Sequence, residues 1–201
     1  MSTTTPRGRR AGEDILAAGR EVLLESGPDA LSLREVARRA GYSPSALYNH
    51  FRDRDQLVVA LAMGSVAALA SYLEAVPAGP ARPRLRALAD AYLAFATDNP
   101  EEYRVIFDCL ANPPHRWEDY AAVAHPFAMI VDACAQGLDE GALTDPAGVG
   151  ASGLAYGLWA LLDGHVHLRS KHLAAIEGPF DDMMSAALDA MLGAGRREGL
   201  R

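Results

Sequence analysis

Along this chain apolar residues recur at three- and four-residue intervals and nowhere alternate over a run, so every element it predicts is helical. The clearest stretch lies between positions 32 and 57. Leu33, Val36, Ala37 and Ala40 fall at i, i+3, i+4 and i+7, a stripe on a helix of barely two turns. Ser32 and Glu35 have the spacing of a capping box, in which the hydroxyl serves the amide at 35 and the carboxylate returns to the amide at 32. Gly41 supplies a left-handed exit, and Ser43-Pro44 restarts the chain as N-cap and first helical residue. The next helix is predicted over Pro44–Phe51. Leu47 and Phe51 share the face that plugs the preceding helix, while Ser45, Asn49 and Arg52 point away, with Tyr48 on the shoulder.

Helix 1 is predicted from Gly12 to Ser26, with Ile15, Ala18, Val22 and Leu23 on one face and Gly27-Pro28 as its stop. Asp53 and Asp55 open helix 4, which runs to about Val76, a rod of about 36 Å. Residues 83–99 and Pro100–Leu110 form helices 5 and 6. Helix 7 spans Trp117–Gly137, with Pro126 kinking or splitting it near His125. Helix 8 starts at Asp145-Pro146 and ends near Ser170, and helix 9 begins at Phe180. The predicted fold is all-α, about nine helices: an N-terminal three-helix unit with a helix-turn-helix, then a C-terminal helical bundle.

A face of small polar side chains beside an aromatic, ringed by Arg34, Arg38, Arg39, Arg52 and Arg54, suits the major groove of DNA. Such side chains allow close approach and can hydrogen-bond base edges or phosphates. Residues 37–57 resemble the N-terminal domain of TetR-family transcriptional regulators, matching at Ala37, Ala40, Gly41, Ser43, Leu47, Tyr48, His50, Phe51 and Leu57. The likeness extends back through Leu31, Gly27, Val22-Leu23, Ala18 and Ile15-Leu16. Three positions depart from the pattern: Arg54 replaces a usual lysine, Gly19 a usual alanine and Tyr42 a usual small aliphatic. The exposed face and the resemblance together give an expected DNA-binding set of Ser32, Tyr42, Ser43, Ser45, Ala46, Tyr48, Asn49, His50 and Arg54, with Tyr42, a departure from the pattern, placed to add a phosphate contact. In it Ser43, Tyr48, His50 and Arg54 hold phosphates, and Ser45, Ala46 and Asn49 face bases. Residues 99–110 and 159–168 also resemble a C-terminal subgroup with a Trp-His-Gly signature, although here the order is Trp159, Gly164, His165.

Charge complicates the picture before supporting it. The 201-residue chain carries a formal −7, which alone argues against a nucleic-acid ligand. The distribution reverses this, because residues 1–54 hold nine arginines against seven acids while the remainder holds ten basic residues against nineteen acids. A basic head on an acidic body brings one end to phosphates and repels the rest. Met1–Arg10, with Arg7, Arg9 and Arg10, reads as a disordered basic arm; 11–55 is the DNA-binding domain and 56–201 the effector-binding and dimerisation domain. The longest apolar run, Leu57–Ala70, is shorter than the ~20 residues that cross a bilayer. With no secretory signal, and with Cys109 and Cys134 as free thiols, the expectation is a soluble cytoplasmic protein.

In the body, Gly153, Gly157, Ala160 and Gly164 form a stripe along helix 8 where another helix can approach closely. One reading is a crossing within the chain. The other is a two-fold interface that includes Met184, Leu188 and Met191 of helix 9, and the family resemblance favours it because members pair through their last two helices. Tyr92, Phe95, Tyr103, Phe107, Phe127, Trp159 and His165 are the large groups able to line an effector pocket, unless they simply form core. His165 and His167, at i and i+2, cannot share a helical face, and His115 and His125 lack ligand neighbours at metal spacing, so no metal and no cofactor is expected. No nucleophile–base pattern is present, and Gly148-x-Gly150-x-x-Gly153 follows a loop instead of a strand. The chain therefore reads as a non-enzymatic regulator, most simply a repressor, binding a pseudo-palindromic operator as a homodimer and released by a small apolar or aromatic effector. The competing readings are a non-sequence-specific architectural DNA binder and a helical-bundle carrier or enzyme.

Overall fold

The computed structural model describes residues 6–110 and 124–193. Every regular element among them is helical: α1 (Pro6–Ser26), α2 (Leu33–Ala40), α3 (Pro44–Tyr48), α4 (Arg54–Glu74), α5 (Ala81–Asp98), α6 (Pro100–Leu110), α7 (His125–Asp139), α8 (Gly150–His167) and α9 (Phe180–Met191). A 3-10 turn, Pro28–Ala30, precedes α2, and a π-helical turn, Leu168–His172, extends α8. The chain divides into two compact units. The first takes in the described parts of Met1–Ala68 and Asn99–Val123, the second those of Leu69–Asp98 and Ala124–Arg201.

The first unit is larger than the 11–55 segment, because α6 packs on α1 and α4 contributes its first turns. Its core joins Ile15, Val22 and Leu23 of α1, Val36 and Ala37 of α2, Leu47 of α3, Leu57 and Leu61 of α4, and Val105 of α6. Leu47 is fully buried, as its place on the inward face of α3 requires, and Phe51 packs beside it. Helix α1 begins at Pro6, so residues 6–10 continue a helix where a disordered arm was expected; proline suits a first turn, where its missing N–H costs nothing. Positions 1–5 of that arm lie outside the described residues.

In the second unit α7 packs on α5 and α8, and α8 on α5 and α9. Pro126 sits in the first turn of α7, so the split predicted near His125 is where the helix starts; the part of helix 7 expected before Ala124 lies outside the described residues. Helix α8 begins five positions later than Asp145 because the Asp145 carboxylate accepts from the amides of Val149 and Gly150, holding a loop in which Gly148 and Gly150 take positive φ. Gly148 and Gly150 thus serve turn geometry, and Gly153 lies within α8. Helix α4, at 21 residues, is long and apolar enough by composition to cross a membrane, yet half of its most apolar stretch is buried inside the protein.

Candidate nucleic-acid interface

The site is built on two short helices and the turn between them. Ser32 caps α2, accepting from the Glu35 amide at 3.2 Å. The return half of the expected capping box is missing. Glu35 instead takes both Nε (2.9 Å) and Nη2 (2.6 Å) of Arg38, a bidentate pair stronger than a bond to a neutral amide. That bond to Arg38, together with the positive charge of Arg39, holds the Glu35 carboxyl below its ordinary range despite opposition from desolvation. Gly41 closes α2 at φ 74°, and its amide bonds back to Ala37. Only glycine adopts that conformation without cost.

Ser43 caps α3 by accepting from the Ala46 amide at 3.2 Å, and its hydroxyl also meets that of Ser45 at 3.0 Å. Helix α3 is shorter than the predicted Pro44–Phe51. It ends at Tyr48, with Asn49 as C-cap and residues 49–50 in a turn, while the Phe51 amide still bonds the Leu47 carbonyl at 2.8 Å and keeps Phe51 on the inward side. The outward surface survives the shortening. Ser43, Ser45, Asn49 and His50 are exposed, Tyr48 is 58% exposed, and Ala46 is half-buried among them. Arg34 and Arg52 are exposed and make no ion pair among the described residues, which leaves two guanidinium groups for phosphates. Arg39 is occupied by Glu25 at 2.5 Å.

Two of the expected DNA-binding residues have partners within the chain. The Tyr42 hydroxyl donates to Asp14 at 2.9 Å, and that bond raises its pKa, so the phenol faces an acid of its own chain. Arg54 turns its Nε onto the Leu31 carbonyl at 2.9 Å, bracing the turn before α2. A helical wheel ranks direction but not which backbone carbonyl lies within reach, so neither contact was readable from spacing. The α4 start carries a reciprocal cap that was also missed: Asp53 accepts from the Gln56 amide, and Gln56 accepts from the Arg52 amide, each at 2.9 Å.

The expected effector group disperses. Tyr103 and Phe107 belong to the first unit, where they stack on each other at 4.6 Å. In the second unit Tyr92 and Phe95 are core, at 2% and 0% exposure, and Phe95 packs edge-on to Tyr72. Phe127 lies 5.3 Å from Trp159, whose indole N–H points to the Tyr92 hydroxyl at 3.4 Å. His165 alone of the group lines a cleft of about 710 Å³ between α5, α8 and α9, where it meets Asp181 at 3.3 Å. No cluster of His, Cys, Asp or Glu able to hold a metal occurs among the described residues.

The expected interface group divides as well. Met184 and Leu188 are buried inside the unit, at 5% and 0%, because α9 turns that face onto its own chain. Gly157 seats the Met191 methyl, where an added Cβ would stand 3.1 Å from it, so this glycine serves the α8–α9 crossing. A Cβ on Gly153 would strike Val149 of the preceding turn. Ala160 is exposed, and a Cβ on Gly164 would meet nothing within 4 Å. The outward apolar groups on these two helices are Tyr156 (67%), Met183 (59%), Met191 (39%) and Trp159 (36%).

Comparison with known proteins agrees with this arrangement. Residues 15–61 match the tetR family of bacterial regulatory proteins, and residues 85–193 match the tetracyclin repressor-like C-terminal domain. A curated relative, the HTH-type transcriptional activator FasR of Mycolicibacterium smegmatis, is 34% identical over 105 residues, 51% of this chain and 48% of its own, so the chain spans about half the length of that relative. Among solved structures, SCO4313, described as a regulatory protein, is 30% identical with a TM-score of 0.74, covering 94% of this chain and 100% of that one. A protein of unknown function from Rhodococcus sp. RHA1 is 28% identical, also at 0.74, covering 92% and 94%. PfmR of Thermus thermophilus, at 17% identity and 0.65 over 91% and 99%, shares the fold. The match over residues 85–193 takes in more than half of the chain, and with the helix-turn-helix before it the assignment is to a family of transcription regulators, not enzymes: this protein is a member of the TetR family.

Proposed function

We propose that the protein is a ligand-responsive regulator that binds a pseudo-palindromic operator as a homodimer in the cytoplasm. The observation that carries this reading is the pairing of a fully buried Leu47 with the exposed Ser43, Ser45, Tyr48 and Asn49 on the same short helix. A rigid core holds α3 while its polar side stays free for a major groove. Ser43, Tyr48 and His50, with Arg34 and Arg52, serve phosphates; Ser45, Ala46 and Asn49 serve bases. Two copies would set their α3 helices about 34–36 Å apart or a multiple of it. The pairing surface is the outward side of α8 and α9, where Tyr156, Met183 and Ala160 are free and Gly164 leaves room for a partner helix.

The effector is a small molecule held in the C-terminal part, with the Phe127–Trp159 pair as its aromatic wall. Such a ligand shifts DNA affinity only by preferring one shape of the dimer over another. Repression is the simplest outcome of an operator overlapping a promoter. The relative FasR is an activator, so the sign depends on where the operator lies. Selection of bound sequences from a random duplex pool with purified protein tests the central reading. The expected result is an inverted repeat of two half-sites, and a pool recovered without any preferred sequence refutes it. A reporter fused to the recovered operator then gives the sign.

A further inference from the structure

Two concave regions of the second unit differ in charge balance. In the cleft of about 710 Å³, Arg86 bonds Asp90, Asp189 and Ser185, while His165 and Arg169 share Asp181, so each basic side chain faces an acid. A smaller cavity of about 260 Å³ is lined by Arg82 of α5, Cys134 of α7, Thr144 of the following loop, Leu154 and Leu158 of α8, and Leu192 after α9. Its cation has no counter-ion among the described residues. Arg82 gives Nη2 to the neutral carbonyl of Ala142 at 2.6 Å, and its Nε is buried with no partner. Glu140 is taken up by the Ala81 amide and the Gln136 side chain, and those two bonds hold it ionised on partners of its own. Cys134 adds no negative charge, since burial pushes its thiol up to about 11.

A half-buried guanidinium without a counter-ion is costly, whereas a carboxylate reaching it gains charge-assisted, directional hydrogen bonds. Beside Arg82, the Thr144 hydroxyl and the backbone of the 141–144 loop, the wall is hydrocarbon and thiol, and the space of about 260 Å³ far exceeds what a single water needs. We propose that this cavity binds small apolar carboxylates, the acid group meeting Arg82 and the Thr144 hydroxyl and the carbon body lying against Leu154, Leu158 and Leu192. The site is separate from the Phe127–Trp159 wall, and its occupancy does not depend on any reading of the DNA surface.

The test is a titration of isotope-labelled full-length protein, followed by amide chemical shifts, with butanoate, hexanoate and benzoate, and with hexanamide as the uncharged match. The expected result is saturable binding of at least one acid, with shifts at Gly141, Leu143 and Gly193. Hexanamide should bind at least about tenfold more weakly than hexanoate, the scale of one charged hydrogen bond. Arg82→Gln should lose at least about as much, and Arg82→Lys should fall between. Equal affinity for hexanoate and hexanamide, an Arg82→Gln protein that binds the acids unchanged, shifts confined to the Arg86 cleft, or no saturable binding of any of the three acids would each overturn the proposal. Should Arg82→Gln unfold through loss of its bond to Ala142, the acid–amide comparison on the natural protein decides alone.

Discussion

Ser65 of α4, wholly buried, donates its hydroxyl at 2.5 Å to the Glu102 carboxylate of α6, which also pairs with Arg20 of α1. One acid therefore ties together three helices of the first unit and satisfies a hydroxyl that would otherwise be costly to bury. Burial pulls the Glu102 pKa upward, but the bonds from Arg20 and Ser65 outweigh it and leave the carboxyl below its ordinary 4.5.

A depressed folded-state pKa contributes stability above the unfolded value and loses it as pH falls through the folded one. Glu102→Gln should therefore destabilise the protein by about 1–3 kcal/mol at pH 7, by stranding Arg20 and removing the charged acceptor of Ser65. The difference from the natural protein should shrink as pH falls below 4.5, where that protein also loses its carboxylate. Urea midpoints at pH 7 and pH 3.5, taken as roughly saturating conditions on either side of the usual carboxylate range, measure it. An equal penalty at both would mean the charge contributes nothing.

Gly19 interrupts α1 on its buried side, and a Cβ there would lie 3.4 Å from Leu61 and 3.5 Å from Leu57, ordinary contact with flexible methyl groups. Helix propensity then acts without opposition from sterics. Gly19→Ala should raise stability by about 0.5–1 kcal/mol and the melting temperature by about 2–4 °C. A lowered melting temperature would show that the α1–α4 packing cannot yield even a few tenths of an ångström.

How much of this was legible in the sequence depends on the range of the interaction. Capping serines, Gly41, Pro44 and the Leu47 plug act within a few residues, so spacing located α2, the turn and α3 correctly. The turning of Arg54 onto Leu31 and the bond from Tyr42 to Asp14 are tertiary, 23 and 28 positions apart, and no periodicity encodes them. The aromatic residues illustrate the same limit. Amphipathic stripes mark Tyr92, Phe95 and Tyr103 as inward, but inward means core for all three, and Arg82, with no acid against it among the described residues, left no mark at all.

Tyr48 and Asn49 are neighbours with different expected roles. Tyr48→Ala should weaken binding to all DNA sequences alike and reduce the salt dependence little, because a phenol supplies no counterion release. Asn49→Ala should change which sequences are recovered, with a penalty of about 1–3 kcal/mol confined to the best site. Binding isotherms on the selected operator and on unrelated duplex measure both. Exchanged outcomes would reverse the assignment of phosphate and base contacts.

Cys134 is 2% exposed, and desolvation raises its thiol to about 11. Because the thiolate is the reactive form, alkylation in the native protein at pH 8 should be slower than for a free cysteine by about two orders of magnitude or more. It should become fast once urea opens the second unit. Mass-spectrometric counting of iodoacetamide adducts at Cys134, native against unfolded, checks this, and equal rates would place the thiol on an accessible surface.

The outward side of α8 and α9 carries the remaining prediction. Tyr156 and Met183 are 67% and 59% exposed, whereas Met184 and Leu188 one turn-face away are already covered by their own chain. A substitution at the covered pair would disturb folding and association together and could not separate them. Tyr156→Glu and Met183→Glu place charge only on the free surface, where a partner must desolvate it; two such charges meeting their symmetry mates cost several kcal/mol. The double variant should keep its helical content and thermal transition at high concentration but run as a monomer in light scattering. It should also lose affinity for a full operator while retaining the weak binding of an isolated half-site. A double variant that remains dimeric, with operator affinity intact, would move the pairing surface away from α8 and α9.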